Sequence, residues 1–125
     1  MMVENRCCTA GVRVLIVDDE LPVCRLLSKM FEGKGHKVKI ATNGDDARRL
    51  IDEGAYEVVV TDSTVPGITV LELASRVRGR KPGAKVLAMS GMHYTLEEKE
   101  AARAAGITGF LNKPFTVKDL ESALA

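Results

Sequence analysis

The apolar positions change period along the chain, and the changes mark out its elements. Val12-Arg13-Val14-Leu15-Ile16-Val17 is a nearly unbroken apolar run of strand length, which suits a strand covered on both faces. Pro22 then suits the first turn of a helix. Val23, Leu26, Leu27, Met30 and Phe31 recur at i, i+3, i+4, i+7 and i+8, which is one helix face, and Gly33 and Gly35 end it. Lys37-Val38-Lys39-Ile40-Ala41 alternates polar and apolar, which predicts a half-exposed strand at a sheet edge. Asn43 suits the cap of the next helix, with Ala47, Leu50 and Ile51 as its buried stripe and Gly54 as its stop.

Val58-Val59-Val60-Thr61 is a second doubly covered run, and it ends in Asp62. Pro66-Gly67 marks the loop that follows. Thr69 and Glu72 have capping-box spacing, ahead of an inward face of Val70, Leu73, Ala74 and Val77. Lys85-Val86-Leu87-Ala88-Met89 is a fourth strand running into Ser90-Gly91. Thr95 and Glu98 repeat the capping box before an Ala-rich helix that stops at Gly106. Gly109-Phe110-Leu111 is a short fifth strand, followed by Asn112-Lys113-Pro114-Phe115. Thr116 opens a last helix whose Val117, Leu120 and Leu124 face inward. Residues 1–11 show no periodicity and predict a flexible lead-in; residues 12–125 predict one domain.

Strands that alternate with helices imply βαβ units, a parallel sheet and helices on both faces. The predicted fold is therefore α/β: a flavodoxin-like, doubly wound (βα)5 arrangement with a five-stranded parallel sheet. The strand order 2-1-3-4-5 puts the alternating second strand at an edge.

Composition acts mainly by exclusion. A chain of 125 residues is one domain large enough for its own core. Its net charge of +1 provides no global field toward nucleic acid or a membrane surface, and Trp is absent. The basic stretch from Arg78 to Gly83 reads as a solvated loop. No apolar run approaches the ~20 residues of a membrane span. Cys7, Cys8 and Cys24 are an odd number without metal-ligand spacing, which suits a reduced, cytoplasmic setting.

The candidate chemistry lies at the strand ends. Asp18 and Asp19 follow the first strand, Asp62 ends the third, Ser90 follows the fourth and Lys113 follows the fifth. In a parallel sheet all carboxyl ends share one edge, and these four strands are neighbours in the predicted order. Taken singly, the residues are ordinary: a helix cap, a strand end, a turn serine, a surface lysine. Together they are three mutually repelling carboxylates that call for a cation. Their oxygen ligands suit Mg2+, with a Lys to complete a positive clamp around a phosphoryl group. A carboxylate beside such a clamp can attack phosphorus and become an acyl phosphate. Ser90 can donate a hydrogen bond to a phosphoryl oxygen, and Pro114 would stiffen the loop that carries Lys113.

From Val12 to Ala125 the chain resembles the receiver domain of bacterial two-component response regulators. The resemblance rests on Val17-Asp18-Asp19-Glu20, on Asp62 followed by Pro66-Gly67, on Ser90, and on Lys113-Pro114-Phe115. It implies Asp62 as phosphoacceptor, with Lys113 and Ser90 assisting. It implies Asp19 and Asp62 as direct ligands of Mg2+ (or Mn2+), the main-chain carbonyl of Thr64 as a third, and Asp18 acting through water. It implies a switch in which Ser90 moves toward the phosphoryl group and Phe110 turns inward, altering the face of helix 4, strand 5 and helix 5. Phe110 lacks a ring hydroxyl, so it should favour the inward state; its plainer reading is as a core residue. The implied partners are a sensor histidine kinase or phosphotransfer protein and a downstream effector or attached output domain. Neither direct nucleic-acid contact by this domain nor membrane contact is expected.

Several positions depart from the family's usual pattern. Val65 stands where Met is frequent and Val70 where Gly is frequent, so the loop after Asp62 should lie differently. Gly91 leaves room for a phosphodonor. Thr64 and Met92, at positions that tune phosphoryl lifetime, predict no unusually fast hydrolysis. His93 reads as a solvated loop residue. Two competing functions are a small Asp-nucleophile phosphohydrolase, which usually needs a lid that this chain has no insertion to form, and a phosphate-independent interaction module, which would not need the full acidic and Lys set. The domain is either a stand-alone receiver or a segment of a longer regulator or hybrid kinase; the short last helix favours the segment.

Overall fold

The computed structural model describes residues 12–90, 95–113 and 115–124. The predicted lead-in with Cys7 and Cys8 lies outside them, as do Gly91, Met92, His93, Pro114 and the side chains of Val117 and Leu124. The strands are β1 (Arg13–Val17), β2 (Lys37–Ala41), β3 (Val58–Asp62), β4 (Lys85–Ser90) and β5 (Gly109–Asn112). The helices are α1 (Leu21–Glu32), α2 (Gly44–Glu53), α3 (Val70–Arg80), α4 (Leu96–Ala104) and α5 (Val117–Leu124). The strands form one parallel sheet in the order β2-β1-β3-β4-β5, as the alternation of patterns implies.

Side chains that alternate along a strand feed two cores. From β1, Leu15 and Val17 point to one face, where Val59, Val86 and Ala88 meet Ala47 and Ile51 of α2, Leu73, Ala74 and Val77 of α3, and Ala102 of α4. Val14 and Ile16 point to the other, where Val60, Leu87, Met89 and Leu111 meet Cys24, Leu27 and Phe31 of α1 and Leu120 of α5. The unbroken apolar runs are thus a consequence of cover on both sides. Edge strand β2 leaves Lys37 and Lys39 exposed.

The capping residues read from sequence bond as they should. Asn43 accepts from the Asp46 N–H at 2.8 Å, and Thr95 and Glu98 close a reciprocal box. Thr116 and Asp119 make a second reciprocal pair at 2.9 and 3.1 Å. The box at Thr69 is only half made. Thr69 accepts from the Glu72 N–H at 3.1 Å. The Glu72 carboxylate turns instead to Arg48 of α2, which forks onto it at 2.8 and 3.0 Å, and to Arg76 Nε at 2.9 Å. Charge-assisted bonds outcompete a second neutral N–H.

One expectation for α1 needs correction. Leu26 is 60% exposed, whereas Cys24, absent from the predicted stripe, is fully buried. The arc that meets the sheet is Cys24, Leu27 and Phe31, at i, i+3 and i+7, and Leu26 lies outside it. The apolar stripe is wider than the surface that covers it. Leu26 instead lines an open groove with Val23, Met30 and Phe115.

Leu27→Ala should therefore cost about 2–5 kcal/mol and Leu26→Ala within about 0.5 kcal/mol, as read by urea denaturation. Hydrogen bonds from Arg48 and then Arg76 pull the Glu72 carboxyl from 4.5 down to about 2. A group lowered on folding contributes stability above its unfolded value and loses it as pH falls through its folded one. The Tm gap between the wild type and Glu72→Gln should be fully open above pH 4.5 and close as pH approaches about 2.

Candidate functional site

The carboxyl ends of β1, β3, β4 and β5 bring the candidate residues together. Asp18 follows β1 directly, pinned there by its N–H donating to the Ala41 carbonyl of β2 at 3.1 Å. Its side chain is fully buried. Oδ1 accepts from the Glu20 N–H at 3.0 Å, and Oδ2 accepts from Lys113 Nζ at 3.0 Å. Asp62 is the last residue of β3, and its Oδ1 lies 2.9 Å from the same Nζ. Ser90 ends β4, and its carbonyl accepts from the Lys113 N–H at 2.7 Å. That bond fixes where the lysine stem begins. The ammonium then reaches back across the sheet edge and joins two carboxylates from different strands.

Burial alone would lower the Lys113 ammonium's pKa, but hydrogen bonds from it to Asp62 and Asp18 override that and hold it well above the ordinary lysine range. It stays charged at neutral pH. Its stabilising contribution is complete below the ordinary lysine value and is lost only as pH rises through the still higher folded one.

Asp19 is exposed beside this pair. Among the described residues, Asp18, Asp19 and Asp62 each offer a carboxylate oxygen within 4.8 Å of the others. The donors are all hard oxygens, two of them bridged by the Lys113 ammonium. Octahedral Mg2+ holds its ligands at about 2.0–2.1 Å, so its oxygens lie roughly 3–4 Å apart. Small side-chain rotations meet that spacing, and the donor set fits such an ion.

The loop after Asp62 is tightly placed. The Ser63 N–H donates to the Met89 carbonyl at 2.8 Å, and the Thr64 N–H points to Asp62 Oδ2 at 3.4 Å. Thr64 itself is exposed. Val65, one of the departures noted above, is buried in the core that α2 and α3 cover. Gly67 turns the chain at φ +89°, where a side chain would be strained. The Gly44 N–H donates to the Pro66 carbonyl at 2.7 Å. A Cβ on Gly44 would lie 2.4 Å from the Gly67 carbonyl group, so α2 can approach this closely only with glycine.

Phe110 is half-buried on β5 and packs against the α2–α3–α4 core. Arg103 Cζ and Lys99 Nζ lie 5.5 and 5.9 Å from its ring centroid, from α4. Beneath the acidic cluster, Cys24 donates its S–H to the Asp18 carbonyl at 3.2 Å. Burial first, then the negative charge of Asp18, push this thiol up to about 11, so it is an unreactive donor.

The sequence model described as the response regulator receiver domain matches residues 14–125. The chain belongs to that family. This receiver domain is 31% identical over 115 residues to the transcriptional regulatory protein TcrA of Mycobacterium tuberculosis, covering 92% of this chain and 45% of TcrA. It is 36% identical over 120 residues to the virulence sensor protein BvgS of Bordetella pertussis, covering 91% of this chain and 10% of BvgS. It therefore spans less than half the length of either relative. Among solved structures, the chemotaxis protein CheY4 of Vibrio cholerae superposes with a TM-score of 0.81 at 27% identity, covering 92% of this chain and 97% of CheY4. Receiver domains are signalling switches of two-component systems that pair with histidine kinases and output domains.

Two partners of the receiver's site escape the sequence pattern. Glu20 comes within 3.6 Å of Lys113 Nζ, and its place directly after the acidic pair was the available signal. Arg48, whose Nη2 donates to the Gly67 carbonyl at 2.6 Å, lies on α2 and has no local signal at all.

Lys113→Met should leave the buried Asp18 charge without its cation and cost roughly 3 kcal/mol in urea denaturation. Adding Asp18→Asn should restore most of that loss.

Proposed function

We propose that this receiver domain, over residues 12–125, is a phosphorylation-dependent switch of a cytoplasmic phosphorelay. The observation that carries the reading is the Lys113 ammonium held between Asp18 and Asp62 at 3.0 and 2.9 Å, with Asp19 alongside. Asp62 is the phosphoacceptor. A carboxylate oxygen of Asp62 forms a bond to phosphorus as the P–N bond to a phosphohistidine breaks, and the histidine of a sensor kinase or phosphotransfer protein leaves.

Asp19 and Asp62 would hold Mg2+ (or Mn2+) directly, with the Thr64 carbonyl as a third protein ligand and Asp18 acting through water. The bound ion supplies positive charge against the phosphoryl oxygens. Lys113 exchanges its bond to Asp62 for one to a phosphoryl oxygen, while the fully buried Asp18 keeps hold of it. Ser90 donates its hydroxyl to another phosphoryl oxygen.

The signal leaves through α4, β5 and α5. Ser90 moves toward the phosphoryl group and Phe110 turns inward behind it. Arg103 and Lys99 over its ring pull the other way, each worth about 0.5–1 kcal/mol at an exposed site. Ala102 is the one buried residue of α4, so this helix is lightly held and can shift at low cost. A downstream effector or attached output domain reads the altered face.

Incubation with acetyl phosphate and Mg2+ should add one phosphoryl mass to the wild type and none to Asp62→Asn, as read by intact mass spectrometry. No added mass on the wild type would sink the reading; the same mass on Asp62→Asn would move the acceptor to another residue.

A further inference from the structure

The loop that leaves Asp62 passes two main-chain carbonyls to α2. The Pro66 carbonyl accepts from the Gly44 N–H at 2.7 Å, and the Gly67 carbonyl accepts from Arg48 Nη2 at 2.6 Å. The backbone donor is fixed by the start of α2. The side-chain donor has to be held by something else, and Glu72 holds it. Both Glu72 oxygens are engaged by the Arg48 fork, at 2.8 and 3.0 Å. Glu72 sits in the first turn of α3, where the Thr69 hydroxyl accepts from its N–H at 3.1 Å. One guanidinium therefore joins α2, the start of α3 and the loop between β3 and α3. A planar fork matches a carboxylate at two points and a carbonyl at a third; an ammonium, with its donors on one atom, lacks that geometry.

The tied carbonyl is three residues beyond Thr64, and the other end of the loop is fixed at Ser63 by its bond to Met89. Thr64 lies between the two anchors. We infer that Arg48 is a positioning residue for the divalent ion: by holding the Gly67 carbonyl against α2, it sets where the Thr64 carbonyl stands relative to Asp19 and Asp62. The inference rests on the proposal that the Thr64 carbonyl is a metal ligand. Mg2+ demands near-ideal octahedral geometry, so a carbonyl displaced by a fraction of an ångström is a poor ligand. Groups that orient ligands from outside the coordination shell typically change affinity 10–100-fold when removed.

Arg76 provides an internal control. It hydrogen-bonds the same Glu72 at 2.9 Å, but its bonds run to Glu72 and Asp52, not to the loop. Mg2+ titrations of the full chain, followed by amide NMR shifts, should show Arg48→Met raising the Mg2+ dissociation constant about tenfold. Arg48→Lys should fall in between, and Arg76→Met should match the wild type. The initial rate of phosphorylation by acetyl phosphate should be lowered in Arg48→Met at limiting Mg2+ and return to the wild-type value at saturation. An Arg48 that merely braced the helices would lower Tm, as Arg76→Met should, without moving the Mg2+ midpoint. Equal midpoints for Arg48→Met and the wild type would overturn the inference alone. A wild type with no Mg2+ titration would overturn the metal reading and this inference with it. If Arg48→Met does not fold, a wild-type midpoint in Arg48→Lys would be equally decisive against it.

Discussion

One ammonium organises the acidic end of this sheet. Asp18 has no exposure to solvent, and Asp62 and Asp19 bring further negative charge within a few ångströms. A buried carboxylate with two more at that spacing calls for a cation. Lys113 comes from the last strand and reaches the ends of the first and third. The two residues are 95 positions apart, so the bond ties together the two ends of the domain. Sheet order, crossover hand and strand length all have to agree for that single contact to form.

The two helical layers have different duties around this centre. α1 and α5 cover the face of Val14 and Ile16, and α1 places Cys24 beneath Asp18. α2 and α3 cover the opposite face and hold the loop after Asp62 through the Gly44–Gly67 approach and the Arg48–Glu72 fork. α4 contributes one buried residue, Ala102. The close contacts are thus concentrated around the acidic residues and the loop after Asp62.

The fold was legible because its signals are local and mutually consistent. Apolar runs of strand length at Val12–Val17, Val58–Thr61 and Lys85–Met89 marked strands, and the alternation over Lys37–Ala41 marked an edge. The convergence of Asp18, Asp62, Ser90 and Lys113 followed from topology, since parallel strands put their carboxyl ends together. Finer detail was not accessible in this way. Leu26 and Cys24 differ in burial because the covering surface is narrower than the apolar stripe, and the stripe alone does not reveal its width. Arg48 and Glu72 lie 24 positions apart on separate helices, so no periodicity links them. Thr69 and Glu72 had the spacing of a capping box, but a pair of arginines that the spacing does not register took the carboxylate away.

The exposed lysines of β2 have one more consequence. An outermost strand offers a free row of amides and carbonyls, an invitation for another sheet to extend it. Here Lys37 and Lys39 are both exposed on that strand. A second copy joining edge to edge would meet these charges on either side of the strand's one exposed apolar side chain, Ile40. The same alternation that gives β2 little to contribute to either core thus protects a small, strongly apolar sheet from growing into an aggregate.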